Sequence, residues 1–294
     1  MADLEGNKDA KQFHADVAQE AYGFPVKGGA GLDFGMRHRL ARIFSDQGKT
    51  VMLAFDHGYF QGPTSGLERI DLNIVPLAPW ADALMATRGI LRSAIPSHNQ
   101  NALVVRASGG PSILKELSDE RIAMDMDDAV RIDAAAVAVQ VFVGGPHETQ
   151  SVHNMTRLVD GGLARGVPVL GVTAVGKELT RDARYLGLAT RMIAELGAQL
   201  VKTYYCEEDF AQVTAGCPVP VIMAGGKKLP VFDALDMAYK AMDQGAAGVD
   251  MGRNIFQRQD PPAMIQAVRA VVHEGASPDS ALEMYQDLSG GKDD

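Results

Sequence analysis

Cysteine is scarce in this sequence, which excludes a disulfide scaffold. The 294 residues include two cysteines, Cys206 and Cys217, and their separation matches no common metal-ligand spacing. Cys206 has no histidine partner in view and is interpreted as a loop residue, whereas Cys217 precedes an apolar run and is assigned a structural role. We therefore predict a reducing compartment and no metal site.

An excess of positive charge and a long apolar run are also absent. Lys and Arg number 28 against 37 Asp and Glu, which gives a net charge of -9 and excludes a broad nucleic-acid or anionic-membrane surface. No apolar stretch approaches the about 20 residues of a transmembrane helix, and the first residues do not resemble a signal peptide. We expect a cytoplasmic protein that binds neither nucleic acid nor membrane, in which any phosphate site is local.

No G-x-G-x-x-G fingerprint is present, but a regular cadence of short apolar runs begins near residue 50. Helical patterns that often end at glycine, such as 184–196 and 231–244, lie between most of these runs. Such alternation over about 200 to 250 residues is typical of an α/β fold of the (β/α)8 TIM-barrel type rather than a doubly wound sheet. The eight predicted strands are 51–55, 83–86, 102–105, 135–143, 168–172, 199–201, 219–223 and 247–249.

The polar segments at both ends define the predicted domain limits. Residues 1–34 are predicted to form an N-terminal arm, 35–288 one barrel domain, and 289–294 a flexible tail. An amphipathic pattern over 35–44 predicts a short helix that covers the bottom of the barrel.

Lys202 is the first candidate catalytic residue. It follows Leu200 and Val201, so we expect it at the end of a buried strand, where the active sites of TIM barrels lie. Apolar neighbours should lower the pKa of an ammonium group, and a free amine can attack a carbonyl to form an imine. The alternative is a lysine that reaches solvent or pairs with an acid.

Asp56 and His57 follow the first predicted strand and should face the same barrel mouth as the lysine. Either side chain is a candidate acid/base group beside an imine. The sequence does not choose between them. The alternative for Asp56 is a loop cap or a pair with Arg88 or Lys177.

Two glycine sites follow the last two strands, where TIM barrels commonly bind phosphate. Gly225 and Gly226 permit close backbone approach, and Gly252 precedes Arg253 at the start of a predicted helix. We interpret them together as a phosphate site for a small-molecule substrate. The alternative is a tight turn and an arginine that forms a salt bridge with a neighbouring helix.

Several segments resemble the archaeal-type class I aldolase family over nearly the whole chain. They include 51–58 (VMLAFDHG), 201–205 (VKTYY), 224–228 (AGGKK) and 248–257 (GVDMGRNIFQ). The resemblance implies that Lys202 forms the Schiff base, that Asp56 is an acid/base group, and that Gly225, Gly226, Gly252 and Arg253 hold the phosphate.

The resemblance also implies a reaction and an assembly. It implies cleavage of a phosphorylated β-diketone, with the acetyl group passed to coenzyme A as co-substrate and dihydroxyacetone phosphate released. It further implies no bound cofactor and a ring-forming homo-oligomer, on which the N-terminal arm would lie.

One departure from the family affects the proton donor. Aldolases of the family place a tyrosine at the end of strand five, where this sequence has Val172-Thr173-Ala174-Val175-Gly176-Lys177. Lys177 is our candidate replacement. Two alternatives remain at this point: a class I Schiff-base aldolase acting on a sugar phosphate such as fructose 1,6-bisphosphate, and a sugar-phosphate binder without catalysis.

Overall fold

The computed structural model describes residues 25–174 and 181–291. Residues 1–24 of the predicted arm and the candidate proton donor Lys177 lie outside the described residues. Within these ranges, eight parallel strands close into a barrel, which confirms the predicted fold. In chain order the strands are β1 (Thr50–Ala54), β2 (Ala83–Thr87), β3 (Ala102–Arg106), the short β4 (Ser108–Gly109) and β5 (Arg121–Ile122) outside the barrel, β6 (Ala136–Val141), β7 (Val169–Thr173), β8 (Leu200–Tyr204), β9 (Val221–Ala224) and β10 (Gly248–Met251).

Helices cover the outside of the barrel and end close to the predicted positions. No helix among the described residues is long and apolar enough to cross a membrane. In chain order they are α1 (Phe34–Ile43), α2 (Gly58–Gln61), α3 (Ile70–Asn73), α4 (Arg88–Ala94), α5 (Met126–Arg131), α6 (Glu148–Leu163), α7 (Ala183–Glu195), α8 (Phe210–Gly216), α9 (Val231–Asp243), α10 (Arg253–Phe256), α11 (Pro261–Arg269) and α12 (Pro278–Ser289).

Side chains along each barrel strand alternate between two hydrophobic cores. In β1, Met52 and Ala54 pack inside the barrel, whereas Val51 and Leu53 pack outward against the helices. The same alternation holds in β8, where Leu200 faces inward and Val201 outward. Because strand side chains repeat with a period of two, a residue two positions after an inward one also faces the interior.

Helix α1 packs at the amino-terminal end of the barrel. Asp33 caps it by accepting a hydrogen bond from the Met36 backbone N–H at 3.0 Å. Arg39 donates to the carbonyls of Ala134 and Gly166 at 3.2 and 3.1 Å, just before β6 and β7. Val26, from the predicted arm, is buried in the inner core together with α1. The opposite end of the barrel is therefore left for a ligand.

An insertion between β3 and β6 was not predicted from the sequence. It contains the antiparallel pair β4 and β5, in which Ser108 is paired with Ile122. Glu120, just before β5, is buried with 3% of its surface exposed. The insertion therefore brings a carboxylate from a loop to the open end of the barrel.

Candidate active site

A cavity of about 300 Å³ lies at the carboxyl ends of the barrel strands. Its size suits a small metabolite. The structure brings every predicted site residue that it describes to this one cavity. The predicted residues that line it are Asp56, His57, Lys202, Gly225, Gly226, Gly252 and Arg253.

Lys202 lies within β8 rather than at its end, because the strand continues to Tyr204. Its side chain faces the interior, and 12% of it is exposed. The Nζ atom is 2.7 Å from a carboxylate oxygen of Asp250 on β10 and 3.6 Å from the Met85 sulfur. The amine thus lies at the bottom of the cavity, paired with an acid and not extended to solvent.

The prediction that the pKa of Lys202 is lowered was wrong. Burial does favour the neutral amine and is the largest single influence. The carboxylates of Asp250 and Asp56 together outweigh it, so the pKa of Lys202 lies above its ordinary value. The resting lysine is therefore an ammonium, and it must transfer a proton before it can act as a nucleophile.

Asp56 is paired with Arg106, and not with Arg88 as in one alternative interpretation; the other alternative, Lys177, lies outside the described residues. The Arg106 Nη1 atom donates to the Asp56 carboxylate at 2.7 Å, whereas Arg88 contacts Asp128 on α5. Burial raises the pKa of Asp56, but the charges of Arg106 and Lys202 outweigh that effect and hold its pKa below the ordinary value. Asp56 is thus an ionised carboxylate at neutral pH.

Arg106 connects Asp56 to the insertion between β3 and β6. Its Nε donates to the Ser108 carbonyl at 3.0 Å, and its Nη2 contacts the Glu120 carboxylate. When the Gln140 amide is assigned with its oxygen towards the guanidinium, as the surrounding donors require, that oxygen accepts from Nη1 at 3.1 Å. The guanidinium also lies over the Tyr59 ring, 4.8 Å from its centroid. The donors of Arg106 are taken up by protein groups, so its role is to position Asp56.

His57 presents a neutral imidazole to the cavity. Its ring stacks on Phe256 with centroids 5.8 Å apart. Burial lowers the pKa of His57, and the charge of Asp56 offsets this only in part. In the part of the chain that the structure describes, the Nε2 atom has no hydrogen-bond partner. This nitrogen is buried as well as unpartnered, so a ligand group that reached it would supply its missing hydrogen bond.

The two glycine sites meet at one side of the cavity. Gly226 has a φ of 66°, in the left-handed region that glycine favours. Asn254 holds the two loops together, because its Nδ2 donates to the carbonyls of Gly225 and Lys227 at 2.6 and 2.9 Å. Within 25–174 and 181–291 the Arg253 guanidinium makes no ion pair, so the alternative of a salt bridge to a neighbouring helix is not observed. The loops and the free guanidinium form a suitable anion site.

Three charged groups of the cavity received no role from the sequence: Asp250, Arg106 and Glu120. The alternation of strand side chains could have placed the first two inside the barrel. Asp250 lies between outward-facing Val249 and Met251. Arg106 lies two residues after inward-facing Val104. No comparable local signal exists for Glu120, since a loop brings it to the site.

The site has the arrangement of a lysine-dependent aldolase. It combines a buried lysine on β8, the sixth strand of the barrel, with carboxylates around the amine and an anion site at the last two strands. The DeoC/LacD family aldolase profile matches residues 50–258, from β1 to just beyond α10. The chain belongs to this family of aldolases.

Curated relatives cover almost the entire chain. It is 58% identical over 286 residues to the 3-hydroxy-5-phosphonooxypentane-2,4-dione thiolase of Salmonella paratyphi A, with 97% of this chain and 98% of the relative covered. It is 57% identical, with the same coverage, to the protein of that name from Escherichia coli K12.

Solved structures of aldolases share the fold. A crystal structure of an archaeal fructose 1,6-bisphosphate aldolase is 25% identical with a TM-score of 0.74, covering 82% of this chain and 100% of the other. A second such structure, with the catalytic lysine covalently bound to a carbinolamine intermediate, has a TM-score of 0.73 at 25% identity and covers 81% of this chain and 99% of the other.

Proposed function

We propose that this protein is an acetyltransferase, a thiolase, that cleaves phosphorylated 3-hydroxy-2,4-pentanedione through an imine on Lys202. It passes the acetyl group to coenzyme A and releases dihydroxyacetone phosphate, in the degradation of phosphorylated autoinducer-2. The observation that carries the proposal is the buried Lys202, 2.7 Å from Asp250, at the bottom of a cavity that also contains the anion site. Similarity to the thiolases at 58% identity over 97% of the chain supports the choice of substrate.

The phosphate group sets the position of the substrate. Gly225, Gly226, Gly252 and Arg253 line one side of the cavity. The Gly225 N–H is donated to the Asp250 carbonyl at 3.1 Å, so the Gly226 N–H and the Arg253 guanidinium are the proposed donors to a dianion. Lys202 lies in the same cavity, so a bound phosphate directs the nearby ketone to the amine. Such orientation makes the attack effectively unimolecular.

The imine makes the carbon-carbon bond breakable. With Lys202 joined to the ketone next to the phosphate-bearing carbon, the protonated imine accepts the electron pair of the bond between the acetyl carbon and the hydroxyl-bearing carbon. The acetyl carbon is transferred to the thiolate sulfur of coenzyme A. The enamine that remains takes up a proton and is hydrolysed to dihydroxyacetone phosphate and free Lys202.

Asp56 and His57 are the proposed neighbours of the reacting carbons. Asp56, ionised and held by Arg106, stabilises positive charge at the imine nitrogen. His57 has a lowered pKa and an unpaired Nε2 in the described part of the chain, so it is suited to exchange a proton with the substrate hydroxyl or carbon. Lys177, outside the described residues, remains a candidate proton donor.

Trapping of the imine tests the proposal directly. The protein is incubated with dihydroxyacetone phosphate and borohydride, and its peptides are weighed. We expect one adduct, on the Lys202 peptide, which is lost in Lys202→Ala and kept in Lys240→Ala, since Lys240 is a surface lysine paired with Asp236. Bound ligand without an adduct on any lysine would contradict an imine mechanism and favour the non-catalytic binder.

Analysis of the products identifies the acceptor of the acetyl group in a separate experiment. With the phosphorylated diketone and coenzyme A, we expect acetyl-CoA and dihydroxyacetone phosphate in equal amounts.

The second candidate, a fructose 1,6-bisphosphate aldolase, is favoured by the TM-score of 0.74 to the archaeal enzyme. It predicts cleavage of fructose 1,6-bisphosphate without coenzyme A. Against it, β7 ends at Thr173, whose hydroxyl is hydrogen-bonded to Thr203 at 2.8 Å, and no tyrosine occupies the strand end.

We propose that the enzyme is a cytoplasmic homo-oligomer of the ring type. The two cysteines are free and buried, as a reducing compartment permits. Light scattering of the full chain, and of a variant that lacks residues 1–24, measures the number of subunits. A monomer at micromolar concentration would contradict the assembly.

A further inference from the structure

Asp250 is the acidic group closest to the reacting nitrogen. It lies on β10 between two outward-facing residues, and its side chain is fully buried at 0% exposure. Its carboxylate is 2.7 Å from Lys202 Nζ. In 25–174 and 181–291, no backbone N–H and no other side chain hydrogen-bonds either oxygen. A buried carboxylate is normally stabilised by several donors, so this one is dedicated to the lysine.

The other two buried carboxylates are differently placed. Asp56 accepts from Arg106 at 2.7 Å, and Glu120 contacts the same guanidinium and accepts from Ser108 Oγ at 2.6 Å. Each is paired with a cation that does not lose its proton. Asp250 has a partner whose proton must leave for catalysis. Geometry therefore separates two positioning carboxylates from one that can exchange a proton.

We propose that Asp250 is the acid/base catalytic residue of imine formation at Lys202, taking the proton of the ammonium group and returning it to the departing hydroxyl. This inference rests on the proposed imine mechanism. It assigns a proton donor in a site where β7, the fifth barrel strand, does not end in the tyrosine expected from the family.

The proton balance closes within the pair. The proton moves from Lys202 to Asp250, leaving an amine and a carboxylic acid. The amine lone pair forms the bond to the carbonyl carbon, the π electrons move to oxygen, and a proton passes from nitrogen to that oxygen. Asp250 then protonates the hydroxyl, the carbon-oxygen bond breaks, and water leaves as the lone pair of nitrogen forms the iminium ion. The lysine has lost two protons to the water, and Asp250 is a carboxylate again.

The environment of Asp250 makes both of its protonation states accessible. Burial raises the pKa of Asp250 to about 6, against the opposing attraction of Lys202 and with a smaller contribution from the charge of Asp56. The charged groups that face it are Lys202 from β8 and Asp56 after β1, while β9 contributes uncharged Ala224 to the cavity. Below pH about 6 the acid form cannot accept the lysine proton, so imine formation should slow as pH falls.

The test measures the rate of imine trapping by cyanoborohydride with dihydroxyacetone, which has no phosphate that titrates near pH 6. In Asp250→Asn we expect the rate constant to fall about 10² to 10⁴-fold at every pH, the range of acid/base catalysis. Asp250→Glu should recover at least tenfold over Asp250→Asn. Asp243→Asn, which removes an exposed carboxylate at the end of α9, serves as the matched control and should react like wild type.

A purely electrostatic role gives a different result. Removing the charge of Asp250 would lower the pKa of Lys202, so the amine would form at lower pH and the plateau rate at high pH would equal or exceed that of wild type. That outcome overturns the proposal. Absence of trapping in wild type would instead contradict the imine mechanism itself, so the two failures are distinguishable.

A second measurement does not depend on whether the Asp250 variant folds. We expect the trapping rate of wild type to fall below pH about 6 and the same decline to persist in His57→Gln. If the decline disappears in His57→Gln, the histidine is the titrating group and the assignment to Asp250 is wrong.

Discussion

Removal of the Glu120 carboxylate should destabilise the barrel far more than removal of a surface carboxylate. Glu120 is 3% exposed, and the Arg106 side chain with which it pairs is also 3% exposed. Glu120→Ala leaves Nη2 of Arg106 without its ionic partner and Ser108 Oγ without the acceptor now at 2.6 Å. Breaking a buried ion pair by deleting one partner costs about 3 to 5 kcal/mol.

The expected change in melting temperature follows from the chain length. At about 2.1 cal/mol/K per residue, the 294 residues give an unfolding entropy of about 0.6 kcal/mol/K. Each kcal/mol therefore lowers Tm by about 1.6 °C, so Glu120→Ala should lower Tm by about 5 to 8 °C. Glu120→Gln keeps the volume and one acceptor oxygen, and its loss should be about 1 to 3 kcal/mol.

Thermal denaturation followed by circular dichroism measures these changes. The matched control is Glu283→Ala, an exposed residue on α12, which should change stability by less than about 0.5 kcal/mol. In the double variant with Arg106→Met the total loss should be smaller than the sum of the single losses, because the two residues share one interaction. A Tm of Glu120→Ala within about 2 °C of wild type would refute the reasoning that this network supports the site.

Three further predictions concern the anion site and the base of the barrel. Arg253→Ala should weaken binding of inorganic phosphate about tenfold or more, as measured by calorimetry, because a charge-assisted contact contributes about 1.5 to 3 kcal/mol; unchanged affinity would place the phosphate elsewhere. Gly252→Ala would bring a Cβ onto the Ala54 carbonyl oxygen, so we expect a loss of about 1 to 3 kcal/mol and weaker phosphate binding, and a variant that behaves like wild type would contradict the close packing. Asp82 accepts from His273 at 2.7 Å. Although burial raises its pKa, the hydrogen bonds of His273, Val51 and Arg269 hold that pKa below its ordinary value. Its stabilisation is therefore present above pH about 4 and is lost as pH falls through the lowered pKa, so the Tm difference between wild type and Asp82→Asn should shrink in acid and not in base.

Local sequence patterns were sufficient to predict the eight-stranded barrel, though not the insertion between β3 and β6. Apolar runs of three to nine residues between helical patterns specify buried parallel strands, because only such strands need apolar residues on both faces. The position of Lys202 near the carboxyl end of its strand, and of the glycines after β9 and β10, followed from the same pattern. The prediction of the site residues depended on where each predicted strand ends.

The chemical state of the site was decided by the tertiary structure. The sequence places Lys202 among apolar neighbours, from which a lowered pKa was expected. In the barrel, however, β10 brings the Asp250 carboxylate to 2.7 Å from Lys202 Nζ, although the two residues are far apart in the chain. The insertion between β3 and β6 brings Glu120 to Arg106, and Arg106 in turn holds Asp56. A pKa depends on charges within a few ångströms in space, and a linear pattern does not contain those distances. The sequence by itself therefore determined the barrel and the predicted residues at its mouth, whereas folding brought Asp250, Arg106 and Glu120 to them and decided which of these groups are paired.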